Sequence, residues 1–262
     1  MKYFIFADIH GFYDLFEKQL KEVGFDKDNP EHIFVSLGDL LDRGNYPREC
    51  LRFVNNLPKD KKILIRGNHE DLIEEAIKRK YFLSHDYHNG TVSTCISLAP
   101  NSTSEADLFQ SLKEDKDLQT YLNSLVDYYE DDRNIFVHGW IPCKYKRETK
   151  QYFYNKKWRQ GDWASARWIN GMEAWKQGVR VTVDNDTADK TIYCGHWHTS
   201  WGHHFLHNYG EEFLSQTKTY LLDSLEATHP FACFDPFIDI GIVALDGCTA
   251  FSGKVNCAVV DR

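Results

Sequence analysis

Tyr3-Phe4-Ile5-Phe6-Ala7-Asp8-Ile9-His10 sets a continuous apolar run of strand length against an abrupt polar stop. An unbroken run, rather than an alternating one, fits a strand buried on both faces. Two further segments read the same way. His32-Ile33-Phe34-Val35-Ser36-Leu37 ends on Gly38-Asp39, and Lys62-Ile63-Leu64-Ile65-Arg66 ends on Gly67-Asn68-His69-Glu70. Between them Phe12, Leu15, Phe16, Gln19, Leu20 and Val23 fall at helical spacing, followed by a loop at Asp26-Lys27-Asp28-Asn29-Pro30. Tyr46 to Asn56 predicts a helix with Pro47 in its first turn, and Asp71 to Lys80 predicts a third. Strand and helix alternating three times predict an α/β layered fold.

Outward from that core, residues from about 81 to 132 are more polar and follow a helical pattern through Leu108, Leu112, Leu118, Tyr121, Leu122 and Leu125. Asn134 to Val137 is a further strand. Residues from about 140 to 190 carry Trp158, Trp163, Trp168 and Trp175, read as the packing residues of an inserted segment. Ile192 to Cys194 is a strand, and Ile238 to Val260 alternates β-formers with Asp-Gly and Ser-Gly turns, which predicts hairpins. The expected organisation is one domain over residues 1–262, with cap-like segments at about 81–132 and 140–190.

Composition narrows the partners. The chain has 262 residues, 42% apolar and 27% charged, with a formal net charge of −8. A duplex-binding protein usually carries a basic face, because neutralised phosphates drive that binding. An acidic total leaves room for a local basic pocket but disfavours a large nucleic-acid footprint. Cys50, Cys95, Cys143, Cys194, Cys233, Cys248 and Cys257 are scattered, odd in number and without a C-x-x-C pair, so reduced thiols in a cytoplasmic protein are expected. No apolar run approaches the ~20 residues of a membrane span, and the first residues read as a strand rather than a signal peptide.

The informative feature is where polar residues stand. Five clusters each follow a predicted strand, at the carboxyl edge where α/β sheets collect their sites. They are Asp8-Ile9-His10; Gly38-Asp39 with Asp42-Arg43-Gly44; Gly67-Asn68-His69-Glu70; His138-Gly139; and Gly195-His196-Trp197-His198. Carboxylate, imidazole and amide oxygen together suit Mn²⁺, Fe or Zn²⁺. Any one cluster alone is an ordinary loop; five in this order after five strands point to a metal site.

The series Asp-x-His-Gly, Gly-Asp-x-x-Asp-Arg-Gly, Gly-Asn-His-Glu, His-Gly and Gly-His-x-His resembles the calcineurin-like metallophosphoesterases. Its Asp-Arg-Gly and Asn-His-Glu forms resemble the branch of phosphoprotein phosphatases and symmetrical diadenosine tetraphosphatases, as does the tail Leu245-Asp246-Gly247-Cys248 with Ser252-Gly253-Lys254-Val255. The resemblance spans residues 8 to 198 but not the segments at about 81–132 and 140–190. It implies a layered β-sandwich flanked by helices and a pair of divalent metal ions, Mn²⁺ first, with Fe or Zn²⁺ as alternatives. By that resemblance Asp8, His10 and His198 would hold one metal, Asn68, His138 and His196 the other, and Asp39 would bridge them. His69 would protonate the leaving group, Asp42 would orient His69, and Arg43 would grip the substrate phosphate. Ala7 stands where many relatives have Gly, with little effect expected. Trp140 replaces the second Gly after His138 and could crowd or line the pocket.

Two cations clamping a phosphoryl group and acidifying a shared water would make the nucleophile, with a general acid facing the leaving oxygen. Histidine suits that acid near neutral pH when a carboxylate keeps it protonated, and arginine's planar fork suits phosphate. Glu70 reads as a carboxylate stabilised in the first turn of a helix. Arg66 could face the pocket or pair with an acid. Arg167 is a candidate second phosphate clamp, with a surface arginine stacked on tryptophan as the alternative. His203, His204 and His207 read as surface or supporting residues. The leading expectation is a phosphomonoesterase acting on a phosphoprotein or a small phosphorylated metabolite. A dinucleoside polyphosphate hydrolase comes second and a phosphodiesterase third. A binding protein with a degenerate site is disfavoured because no ligand position is lost.

Overall fold

From Tyr3 to Phe6 the first strand is apolar because it is buried from both sides. The computed structural model describes residues 1–180, 190–206 and 232–262. β1 (Lys2–Phe6), β2 (His32–Ser36) and β3 (Lys62–Leu64) lie side by side and parallel, and β11 (Cys257–Asp261) pairs antiparallel with the other edge of β1. The second sheet runs in the order β4 (Tyr129–Glu130), β5 (Asn134–Phe136), β8 (Thr191–Cys194), β10 (Ile242–Ala244), β9 (Phe237–Asp239). Its three central strands are parallel and both edge strands antiparallel. A ribbon of β6 (Lys144–Lys146) and β7 (Gln151–Phe153) joins neither sheet.

Successive side chains on a strand point to opposite faces. Tyr3, Ile5 and then Ala7 meet Phe136, Tyr193, Val243 and Leu245 of the second sheet. Tyr3 and Phe136 cross edge to face, with ring centroids 5.1 Å apart. Phe4 and Phe6 point the other way, into a core completed by α1 (Tyr13–Glu22) and α2 (Pro47–Asn56) through Phe16, Leu20, Leu51 and Val54. The result is the expected sandwich with helices outside.

Residues 84–124 form α4 (Ser84–His88), α5 (Thr91–Leu98), α6 (Glu105–Glu114) and α7 (Lys116–Ser124). Leu98, Leu108, Phe109, Leu112, Leu118 and Leu122 enter the same core as Phe4 and Phe6, so this segment is an outer layer of the first sheet. The tryptophans cover the second sheet: Trp140, Trp158, Trp163 and Trp175 pack with Ile135, Val137, Ile192 and Phe237. Trp140 does not crowd the pocket as its position suggested. It is buried in that outer core and its indole N–H donates to the Val179 carbonyl at 3.0 Å. Trp168 is the exception among the packing tryptophans, 51% exposed.

The last segment makes one of its expected hairpins, β9 to β10 around Ile240-Gly241. Asp246-Gly247 and Ser252-Gly253 are not hairpin turns. A short helix, α11 (Thr249–Ser252), lies between them, and β11 crosses to the first sheet. Turn residues read the same locally whether the chain returns to its neighbour or leaves for another sheet. No helix among the described residues is long and apolar enough to cross a membrane.

Candidate metal centre and active site

The sheet ladders run on beyond the strands and fix the site loops. His10 N–H donates to the Asp39 carbonyl at 2.9 Å and Gly11 N–H to that of Leu40 at 2.8 Å. In the second sheet Gly195 N–H donates to His138 O at 2.7 Å and Leu245 N–H to Cys194 O at 2.9 Å. Turning sharply while still paired forces the left-handed backbone region on Asp8 (φ 51°), His10 (51°), Asp39 (52°), Asp42 (71°), Arg43 (64°) and His196 (67°), a conformation non-glycine residues seldom adopt. The third loop leads into α3 (Asn68–Arg79), which begins three residues before the expected Asp71 because Glu70 accepts the Gly67 N–H at 2.9 Å. Asn68 and His69 therefore sit in its first turn.

Asp39 is the centre of the arrangement. His138 Nε2 lies 3.3 Å from its Oδ1, and His10 Nε2 and His69 Nε2 lie 3.7 and 3.8 Å from its Oδ2. His138 Nε2 is also 2.7 Å from Asn68 Oδ1. Two donor groups that could each hold a metal ion share this carboxylate: His10, Asp39 and His69, and Asp39, His138 and His196. The ring orientations fit a cation. His10 Nδ1 lies 3.0 Å from the Leu41 carbonyl and His138 Nδ1 lies 2.8 Å from that of Leu37. Those contacts place a ring proton on Nδ1 and point Nε2 at Asp39, the arrangement that outer partners impose on metal-ligating imidazoles. Gly67 and Gly195 keep the space open, since a Cβ at either would overlap the carboxylates of Asp39 and Asp8.

Electrostatics agree. Burial and neighbouring Asp246 push the Asp8 carboxyl well above its ordinary range. Burial also acts against ionisation of Asp39, but His138 and His69 outweigh it and hold that carboxyl well below its ordinary range. Burial and His138 drive His196 down to about 3, while His138 itself, despite burial, is raised to about 10 by Asp39. Buried carboxyls and imidazoles pulled in opposite directions at one point are what a shared cation relieves.

Asp8 and His198 stand slightly apart from the Asp39 groups. Asp8 accepts the His196 N–H at 3.0 Å. His198 Nδ1 lies 3.1 Å from Ser200 Oγ, and His198 lines the same cavity as Asp246. Asp246 was missed as a site residue. It is buried at the end of β10, beside Asp8 and His198, and follows the same rule as the five recognised clusters: a polar residue just after a buried strand. Its Asp-Gly context read as a turn and concealed it.

Glu70 does more than cap its helix. Its carboxylate accepts the backbone N–H groups of Gly67 and Asp39 at 2.9 Å and of Leu40 at 3.0 Å, and the hydroxyl of Tyr121 at 2.9 Å. One buried side chain thereby ties the second loop to the third, with α7 behind it.

His69 and Asn68 diverge, Asn68 towards His138 and His69 towards Asp42. His69 Nδ1 lies 2.8 Å from Asp42 Oδ2, which also accepts the Thr91 hydroxyl of α5 at 2.7 Å. Burial lowers the affinity of His69 for a proton, but Asp39 and the Asp42 hydrogen bond outweigh it and the pKa is raised. Arg43 is exposed, with a guanidinium nitrogen 3.4 Å from His69 Nε2.

These groups open into a cavity of about 540 Å³. Arg43, His196, His198 and Asp246 supply its polar wall, and Trp168, Trp197 and Phe251 its aromatic wall. Trp168 stands edge-on to His196 with centroids 5.7 Å apart. Arg167 does not line this cavity. It is buried and binds Asp71 at 2.6 Å and Asp127, so its guanidinium is committed to structure. Arg66 likewise pairs with Glu74 and Asp71, at 2.9 and 3.4 Å. His203 Nε2 lies 3.0 Å from the Asp235 carbonyl, His204 lies on the same helix α10 (Thr199–Leu206), and His207 falls outside the described residues.

The family model for calcineurin-like phosphoesterase matches residues 1–221. The chain belongs to the calcineurin-like phosphoesterases. A symmetrical bis(5'-nucleosyl)-tetraphosphatase of Nitrosococcus oceani is 39% identical over 211 residues, covering 74% of this chain and 67% of that protein. Serine/threonine-protein phosphatase 1 of Salmonella typhimurium is 36% identical over 72 residues, 28% of this chain and 31% of its own. The chain spans 58% and 27% of two further tetraphosphatases. The cold-active protein-tyrosine phosphatase of a Shewanella species shares the fold, with a TM-score of 0.51 at 13% identity over 100% of this chain and 75% of that one. Calcineurin-like phosphoesterases thus include both nucleotide and phosphoprotein enzymes among the relatives of this chain.

Proposed function

We propose that this calcineurin-like phosphoesterase is a metal-dependent hydrolase of dinucleoside polyphosphates. The carrying observation is the aromatic wall of the cavity. Trp168 and Phe251, 51% and 64% exposed, line the same cavity as Trp197 and Arg43. Exposed rings beside a phosphate-binding guanidinium suit a base next to a phosphate chain. The identity with the Nitrosococcus tetraphosphatase over 74% of the chain supports the same reading.

Asp8, His10 and His198, Asn68, His138 and His196, and the shared Asp39 would hold the metal pair, with Mn²⁺ the first candidate. Two divalent cations there would supply the charge that polarises phosphoryl oxygens and acidifies the attacking water. Arg43, at the mouth, grips a phosphate oxygen. His69 holds its Nδ1 proton towards Asp42 and sets Nε2 3.4 Å from the Arg43 guanidinium, so a proton carried there would lie beside a phosphate that Arg43 grips. Asp42 keeps the ring oriented and stabilises its charged form. Asp246 lines the cavity with His198 and adds a second buried carboxyl beside Asp8.

A phosphomonoesterase of the protein-phosphatase type is the second reading, supported by the 36% identity with serine/threonine-protein phosphatase 1. A panel with added Mn²⁺ separates them: an aryl phosphate, a phosphoserine peptide, diadenosine tetraphosphate and a bis-aryl phosphodiester. Diadenosine tetraphosphate is expected to give the highest kcat/KM. Trp168→Ala should raise its KM about tenfold, the loss of one stacked base, and leave the aryl phosphate within twofold. A preference for the phosphopeptide, unmoved by Trp168→Ala, would reject the nucleotide reading.

A further inference from the structure

The β6–β7 ribbon has a composition that runs against the rest of the chain. Residues 144–159 hold seven basic side chains and a single acid, Glu148, in a chain of net charge −8. Arg159 is committed to Glu130 at 2.7 Å and to the face of Trp158. The other six, Lys144, Lys146, Arg147, Lys150, Lys156 and Lys157, are exposed, and among the described residues none joins a salt bridge. Surface cations on an acidic protein ordinarily find carboxylates, so six together without one form a concentrated positive field.

The rings of the ribbon are arranged against burial. Tyr152 anchors it, partly buried on the second core, with its N–H donating to Gln177 Oε1 at 2.7 Å. Tyr145, paired with Tyr152 across the strands at 4.8 Å between centroids, is nevertheless 50% exposed. Phe153 is 46% exposed on the opposite, outward face, directly across from Lys144 and beside Lys146 and Gln151. A hollow of about 470 Å³ lies among Lys144, Tyr145, Lys146, Arg147, Glu148 and Phe153.

We propose that the β6–β7 ribbon binds single-stranded nucleic acid passing over its edge at this hollow, its cations on the phosphates and the two rings that line the hollow, Phe153 from the outward face and Tyr145 from the other, each against a base. Basic residues interleaved with exposed rings are the elements of sequence-tolerant single-strand binding. An acidic peptide would use the cations and leave both rings wet. A duplex would need a basic face much broader than one hairpin. The footprint is therefore a few nucleotides, compatible with the acidic total, and it is independent of the metal centre and of the reading proposed for it.

Fluorescence anisotropy of a labelled oligothymidylate of about ten nucleotides, within the range of known single-strand sites, tests this on the full metal-loaded chain. Affinity should fall about 50-fold between 50 and 200 mM salt if roughly four phosphates are neutralised. Tyr145→Ala with Phe153→Ala should cost about tenfold or more and keep the salt slope. Lys144→Glu with Lys146→Glu should cost at least as much and flatten the slope. Lys156→Glu with Lys157→Glu, outside both strands, should do the same without touching the hairpin pairing. All should keep activity on an aryl phosphate and the wild-type thermal midpoint. No binding by the wild-type chain at 50 mM salt overturns the proposal. So do equal binding of a polyglutamate peptide, a preference for duplex, or indifference to the two ring substitutions.

Discussion

His69 stands where two functions meet. Its Nε2 lies within reach of Asp39 and His10, among atoms that could hold a metal, while its Nδ1 is bound to Asp42. If it acts as the acid, His69→Ala keeps both metals. Activity should then fall most, on the order of 10²–10⁴-fold, on alkyl phosphates with poor leaving groups. Aryl phosphates should lose less, and a phosphoanhydride least, because its leaving group is already a stable phosphate. Metal content after dialysis and the three rate ratios check this. Loss of a metal, or equal losses on all three substrates, would make His69 a ligand instead. At this scale the recognised residues were legible because each is a polar side chain directly after a buried apolar run. Thr91, Tyr121 and Asp246 were not. Asp42 and Glu70, which accept the two hydroxyls, and Asp8, whose charge Asp246 opposes, lie far off in sequence, and nothing local marks a hydroxyl or an Asp-Gly as their neighbour.

Among the elements, the loops rather than the strands carry the strain. Left-handed conformations in non-glycine residues cost roughly 1–3 kcal/mol each, and here they gather at Asp8, His10, Asp39, Asp42, Arg43 and His196. The loops tolerate this because the sheet ladders and the Glu70 carboxylate over-determine them. Gly67 is the narrow point, with Asp39 Oδ1 where a Cβ would stand. Gly67→Ala should therefore displace the central carboxylate and weaken metal binding by about 10–100-fold, as loss of an orienting contact does. Calorimetric titration with Mn²⁺ measures it, and wild-type affinity would show that the loop can yield. The strands and first helices were legible from periodicity to within a few residues. The start of α3 was read three residues late, at Asp71, because the Gly67 N–H that Glu70 caps lies in the preceding Gly-Asn-His stretch and gives no local helix signal.

Across the molecule, Arg167 links parts that the sheets leave separate. It follows α8 (Trp163–Ala166) and reaches Asp71 in α3 and Asp127 ahead of β4. Arg167→Ala removes a buried cation from two acids, of which Asp71 keeps Arg66 as a partner and Asp127 is partly exposed. A loss of about 2 kcal/mol in urea unfolding is expected, below the cost of breaking a fully buried pair. The KM for an aryl phosphate should stay within twofold. A tenfold rise in KM at unchanged stability would return Arg167 to the substrate site, as its place in the sequence suggested. The sequence showed an arginine beside a tryptophan; which of the two faced the cavity depended on packing of the whole second sheet.

The pairing of β1 with β11 fixes an order of events in synthesis. β1 is made well before β11 and keeps one edge bare until the intervening chain has followed, and Asp246 comes beside Asp8 only late in that stretch. Late-closing pairings of this kind slow folding and prolong the exposure of an apolar strand. A nascent chain of this protein therefore holds Asp8 and His10 without a finished site around them until that stretch has been made. A message cut short before β11 yields a product whose open edge invites association with other chains.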